Sequence, residues 1–249
     1  MDIFRIFATR TQGTLMRNIL LASIVVFGFS ACDDPGNTRI QGTIKGLDKG
    51  ELRLEKIDDT LLVTLDSLRI YDSPDFSFSL DLEEPEVLYL SLKFDDSITE
   101  TRYMPFFAEP GNVEIKTSLE GFGYDQKITG SVNQGVWDEF KLLQGRYNDR
   151  QLELIQAELA AGQQNNSKEV QRVQDQRQKL LSARYLATVN FAKNHSGLPI
   201  APYLMLAEIP DVNLKYQDTI LKLLSPEIKN SKYGKALESI VNRQKDSLR

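Results

Sequence analysis

The sequence predicts an α+β protein, an N-terminal antiparallel β-sandwich followed by a C-terminal helical region built around a long helical hairpin. Two observations carry this reading. From about Thr38 to Gly130 apolar residues recur at period two between turn signals, and from about Asn133 they recur at the period of a helix. A third argues against a parallel sheet, since no helix-length segment separates the strand-like runs. The expected organisation is a signal segment at 1–31, a tether at 32–37, a β-sandwich domain at 38–130 and an α-helical region at 131–249.

The strands are expected in the following order. Ile40, Gly42 and Ile44 alternate with polar residues, and so do Leu52 and Leu54. Val63 and Leu65 follow, then Phe76, Phe78 and Leu80. Val87 to Leu92 is more continuously apolar, as a central strand buried on both faces would be. Met104 to Ala108 and Val113 to Ile115 complete the set. Turn signals separate them at Leu47-Asp48-Lys49-Gly50, Asp72 to Asp75, Asp95-Asp96 and Pro110-Gly111-Asn112. Adjacent strand residues face opposite sides, so one of Phe106 and Phe107 points away from the sandwich core and onto the helical region.

Val136, Phe140, Leu143 and Tyr147 fall on one helical face, continued by Leu154, Ile155 and Leu159. Gly162 to Ser167 interrupts the pattern. A second long helix carries Val170, Val173, Leu180, Leu181, Ala187 and Phe191, and it ends where Gly197 and Pro199 stop helices. The two form an antiparallel hairpin. Shorter helices are expected at about Ala201–Glu208, Leu214–Leu224 and Lys232–Leu248, with Ser225-Pro226 between the last two.

The first thirty residues give the chain an address. Asn18 to Phe29 is an apolar run behind Arg17, and Phe29-Ser30-Ala31 places small residues ahead of Cys32. A basic flank, a short apolar run and small residues before a cut describe a secretory signal peptide. The run is shorter than the ~20 apolar residues that span a bilayer, although an uncleaved anchor helix is the alternative. The cut site resembles the bacterial lipobox, with cleavage between Ala31 and Cys32 and lipid on the Cys32 thiol. Two or more acyl chains anchor a protein stably where one does not. The expected location is the cell envelope, lipid-anchored at the outer membrane on its periplasmic or surface face. Translation starts at Met1 or at Met16, the latter giving a signal peptide of ordinary proportions.

Loss of residues 1–31 removes Arg5, Arg10, Arg17 and Asp2, leaving 218 residues with 27 basic and 34 acidic side chains, a net charge of −7. Such a body lacks the basic footprint of a nucleic-acid binder. Its one cysteine, Cys32, is committed to lipid, so no disulfide, Cys-x-x-Cys pair or thiolate nucleophile is expected in the body.

Several stretches, in their order and spacing, resemble the domain of unknown function 4369, found at the N-terminus of envelope lipoproteins of Gram-negative bacteria. They are Ile40-Gln41-Gly42-Thr43-Ile44, Gly50-Glu51-Leu52-Arg53-Leu54, Asp66-Ser67, Phe76-Ser77-Phe78, Phe106-Phe107-Ala108-Glu109-Pro110-Gly111-Asn112 and Ile128-Thr129-Gly130-Ser131 leading into Trp137-Asp138-Glu139-Phe140. Phe191-Ala192-Lys193-Asn194, Ser196 and Pro202-Tyr203-Leu204 resemble the helical linker that follows that domain. Family members usually place Gly in the turn before Phe-x-Phe, where this chain has Asp72-Ser73-Pro74-Asp75. The resemblance implies an envelope accessory domain. In longer relatives a thioredoxin-like module follows; with no second cysteine, its redox chemistry is not expected here.

No constellation points to catalysis. The single histidine, His195, sits where a helix C-terminus is expected, a position that suits a capping role. One His and no free Cys do not make the common zinc patterns, and no metal or other cofactor is expected. Glu83-Glu84, Asp95-Asp96 and Asp58-Asp59 are candidate carboxylate pairs by composition, and adjacent acids on turns are ordinarily solvated. The aromatic residues of the β half suit a core or a carbohydrate or peptide site. Asp59-Thr60-Leu61, Asp66-Ser67-Leu68, Asp96-Ser97-Ile98, Asp218-Thr219-Ile220 and Asp246-Ser247-Leu248 resemble an O-glycosylation acceptor or are chance repeats. The expectation is a membrane-anchored envelope lipoprotein, a non-enzymatic binding or assembly module with an envelope protein partner. The alternative is an accessory subunit of an envelope thiol–disulfide pathway that lacks its own redox cysteines.

Overall fold

The computed structural model describes residues 36–94 and 101–247. Ala31, Cys32, the signal segment, most of the tether and Asp95-Asp96 lie outside them. Residues from Gly36 onward form one compact unit. Among the described residues eight strands come first: β1 (Thr38–Lys45), β2 (Lys49–Asp58), β3 (Leu61–Tyr71), β4 (Asp75–Leu80), β5 (Glu86–Lys93), β6 (Thr101–Ala108), β7 (Gly111–Ser118) and β8 (Lys127–Thr129). Six helices follow: α1 (Val132–Gln163), α2 (Ser167–Asn194), α3 (Ile200–Ala207), α4 (Leu214–Leu223), α5 (Pro226–Asn230) and α6 (Lys232–Ser247).

The strands form two four-stranded sheets, ordered β4-β1-β7-β8 and β3-β2-β5-β6. Alternate residues of both sheets, among them Ile40, Leu54, Phe78, Leu90, Phe106 and Ile115, meet in one buried cluster, which makes the pair a sandwich. This is the predicted α+β architecture with one difference. β1 and β7 run parallel, from Thr38 beside Gly111 to Lys45 beside Ser118. Parallel neighbours need a long crossover, and the five intervening strands, four of them in the other sheet, supply it.

Two glycines of the family-like stretches stand at close approaches of backbone. A Cβ on Gly42 in β1 would lie 1.9 Å from the Ile115 carbonyl oxygen of β7. Gly130 takes φ 96°, and a Cβ there would lie 1.9 Å from the Asn112 carbonyl oxygen. Before β4, at the turn where the resemblance leads to an expected Gly, Asp72 itself adopts a left-handed φ of 55°. Asp tolerates that region better than most side chains, so the turn survives the replacement.

α1 and α2 form the predicted hairpin, with Ser131 and Asn166 accepting the N-cap hydrogen bonds. Near the sheets the hairpin is buried through Trp137, Phe140, Val189 and Ala192. Further out only Leu154, Ala161 and Val173 are buried, and none belongs to the three main apolar clusters. The distal part is therefore an arm that packs on itself. α3 to α6 gather around a second cluster that includes Met205, Ile209, Ile220, Leu237 and Val241. No described helix is long and apolar enough to cross a membrane.

Candidate functional site

The outer face of the β5–β6 half of the sandwich meets the helices at a cleft of about 530 Å³. Its floor begins with β alternation. Phe106 faces the sandwich core, and Phe107, also fully buried, faces the other way into a separate cluster with Val87, Trp137, Phe140, Ile200 and Leu204. Phe107 is the hub of an aromatic group. Its ring lies 6.2 Å from Trp137, 5.6 Å from Tyr203 and 6.0 Å from Tyr233, all near edge-to-face. Trp137 and Tyr203 are 5.3 Å apart, and Tyr203 and Tyr233 5.2 Å. Such geometries add to the stabilisation from buried area.

The cleft opens on this group. Val87 and Tyr89 of β5 form one wall, and Tyr203 and Leu206 of α3 with Tyr233 and Ala236 of α6 form the other. Ile57 and Asp59, at the β2–β3 turn, stand at the rim. The Val87 N–H donates to the Tyr233 hydroxyl at 2.8 Å, which ties β5 to α6. Burial raises the ionisation of all three tyrosines above the ordinary range; for Tyr203 the neighbouring Tyr89 and Tyr233 add to it, and for Tyr233 the Val87 bond partly opposes it. The site therefore presents neutral phenols at neutral pH. The Tyr89 and Tyr203 hydroxyls have no hydrogen-bond partner among the described residues, which leaves two donor–acceptor groups on an apolar wall.

Charge sits at the rim. Lys232 pairs with Glu86, and its ammonium lies 5.9 Å from the Tyr233 ring centre. Its backbone N–H donates to both Glu84 carboxylate oxygens, at 2.9 and 3.0 Å, so Glu84 sits at the N-terminus of α6. Behind the cleft a polar junction fixes sheet to helix. Glu109 Oε1 accepts from the Ser131 hydroxyl at 2.8 Å, the Asn133 N–H at 2.6 Å and the Asn133 amide at 2.7 Å. Gln134 Oε1 accepts the Phe107 N–H at 2.7 Å, and Asn133 Oδ1 accepts the Ile200 N–H at 2.9 Å. One N–H on the outer edge of β6 and one at the start of α3 are thus both satisfied from the first turn of α1.

The other sequence candidates are dispersed. His195 follows α2 as its C-cap, its Nδ1 2.9 Å from the Phe191 carbonyl oxygen and its ring 4.4 Å from the Phe191 ring. Glu83 is exposed while Glu84 serves α6, and Asp58 and Asp59 are exposed at the β2–β3 turn. Among the acceptor-like triplets, Asp59-Thr60-Leu61 stands on an exposed turn, whereas Ile220 of Asp218-Thr219-Ile220 is fully buried within α4. Tyr89, Phe106 and Phe107 were recognisable as aromatic strand residues. The roles of Tyr203, Tyr233 and Ala236 were not, because they meet the sheet only through tertiary packing.

No curated protein matches the chain. Residues 38–137 match the family model for a domain of unknown function (DUF4369). The match runs from the first residue of β1 to Trp137, so Val87, Tyr89 and Phe107 lie inside it, while Tyr203 and Tyr233 lie beyond. Residues 38–137 therefore carry the resemblance to the DUF4369 domain, and they supply the sheet side of the cleft.

Proposed function

We propose that the chain is a lipoprotein of the bacterial cell envelope, held at the outer membrane by lipid on Cys32, whose body is a non-enzymatic binding module. The tyrosine-lined cleft carries the binding part of this reading. Apolar walls with two unpartnered hydroxyls suit a planar or aliphatic group that ends in a polar atom, as presented by an envelope protein partner or a small ligand. Supporting the address are the apolar run from Asn18 to Phe29 and the small residues ahead of Cys32.

Trp137 is the sole tryptophan and touches Tyr203, so its emission senses the cleft. In the folded body, 1-anilinonaphthalene-8-sulfonate should bind with a change in Trp137 emission. Ala236→Phe, which fills the cleft from an exposed helical position, should weaken that binding at least tenfold, and Val63→Ser on β3 should leave it unchanged. Equal binding by the wild type and Ala236→Phe would remove the cleft from the proposal. A second reading, an accessory subunit of an envelope thiol–disulfide pathway with the oxidoreductase on another chain, rests on the resemblance to domains that precede a thioredoxin-like module in longer proteins. Purification of the membrane-held protein without any co-purifying oxidoreductase would count against it.

A further inference from the structure

The α1–α2 arm contains a groove that the cleft does not use. At the level of Tyr147 and Gln151 on α1, and of Leu180 and Arg184 on α2, a space of about 370 Å³ opens between the helices. A self-packed hairpin is expected to fill this level with apolar side chains, and polar groups converge there instead. Arg177 and Arg184 are seven residues apart, two helical turns, so both fall on the same face of α2.

The two arginines differ in how they are satisfied. Arg177 donates to Glu158 at 2.5 Å, and Gln174 donates to the same carboxylate at 2.8 Å. These hydrogen bonds hold the Glu158 carboxyl below its ordinary range, so the acid is spoken for and Arg177 is compensated. The Arg184 guanidinium has no carboxylate or hydrogen-bond partner among the described residues, and its Nε is shut off from solvent with nothing to donate to. A guanidinium is always charged and offers a rigid fork of donors. The remaining N–H groups of the fork, unpaired on a part-exposed residue that lines the groove, are what a carboxylate or phosphate would engage. Tyr147 and Gln151 add a hydroxyl and an amide on the facing helix, both able to donate to the same group.

We infer that this groove binds an oxyanion, a carboxylate or phosphate group, with Arg184 as its principal ligand and Tyr147 and Gln151 in support. The inference is independent of the cleft, because the arm shares none of its lining residues. The test is calorimetric titration of the folded body with sodium phosphate and, separately, with sodium succinate, against sodium chloride at equal ionic strength. At least one of the two oxyanions should bind at least tenfold more tightly than chloride. Arg184→Gln should weaken that binding at least tenfold, and Arg184→Lys, which keeps the charge but not the fork, should give an intermediate constant. Preference between phosphate and succinate assigns the class of group. Failure of the wild type to bind either oxyanion above chloride, or equal binding by wild type and Arg184→Gln, overturns the site. Should Arg184→Gln lower the melting temperature, Arg184→Lys decides alone, and wild-type affinity in that variant overturns it.

Discussion

Phe106 and Phe107 are consecutive, both fully buried, and belong to different cores. Each truncation to alanine should therefore cost about 3–5 kcal/mol, as for a well-packed aromatic residue, measured by urea unfolding. Only Phe107→Ala should also shift the emission of Trp137 in the folded state, because only Phe107 touches that ring. Glu109 makes a second residue-scale point. Its one carboxylate oxygen accepts three hydrogen bonds around the first turn of α1, so Glu109→Ala should cost about 1–3 kcal/mol by stranding those donors. The opposite facing of the two phenylalanines was legible in the sequence, because strand alternation is local. The partners of Phe107 were not, since Tyr203 and Tyr233 come from helices far along the chain and no periodicity links them to β6. Glu109 was visible as part of a turn signal, but its role as an acceptor for α1 appears only once the helix is docked.

At the scale of elements, local signals read well and nonlocal ones did not. The long helices were legible because apolar periodicity runs through them and Gly162 to Ser167 breaks it. β8 and α5, with three and five residues, are too short to show a period. The parallel pairing of β1 with β7 depends on strands that lie between them in sequence, and alternation within a strand carries no record of its neighbour. The hairpin arm leads to a further expectation. Between Arg146 and Ser182 its hydrogen bonds and buried apolar residues stay within the two helices. Amides of this segment should exchange with deuterium faster than those of β5, which is buried between two cores, and the difference should be read peptide by peptide. Equal protection would mean that the arm is held by something beyond its own packing.

For the whole molecule, burial of tyrosines predicts the response to alkali. The folded protein holds Tyr203 and Tyr233 well above the ordinary tyrosine value of about 10. Below that value both folded and unfolded chains keep these protons, and stability does not depend on them. Above it the unfolded chain releases them first, so stability should fall as the pH rises past about 10. The urea midpoint should be level to about pH 9 and drop beyond it, with a shallower drop for Tyr203→Phe, which has no proton to lose. The same burial keeps this site uncharged, and the cleft lies where residues 38–137 meet the helices that follow them. What the cleft serves depends on where the protein is held. The most direct measurement of that address is the intact mass of the protein from its native membranes. The proposed anchor requires a chain that begins at Cys32 and carries the added mass of a diacylglyceryl group, with or without a further acyl chain, in the membrane fraction. A chain that still carries residues 1–31, or one that begins at Cys32 without lipid in the soluble fraction, would contradict it.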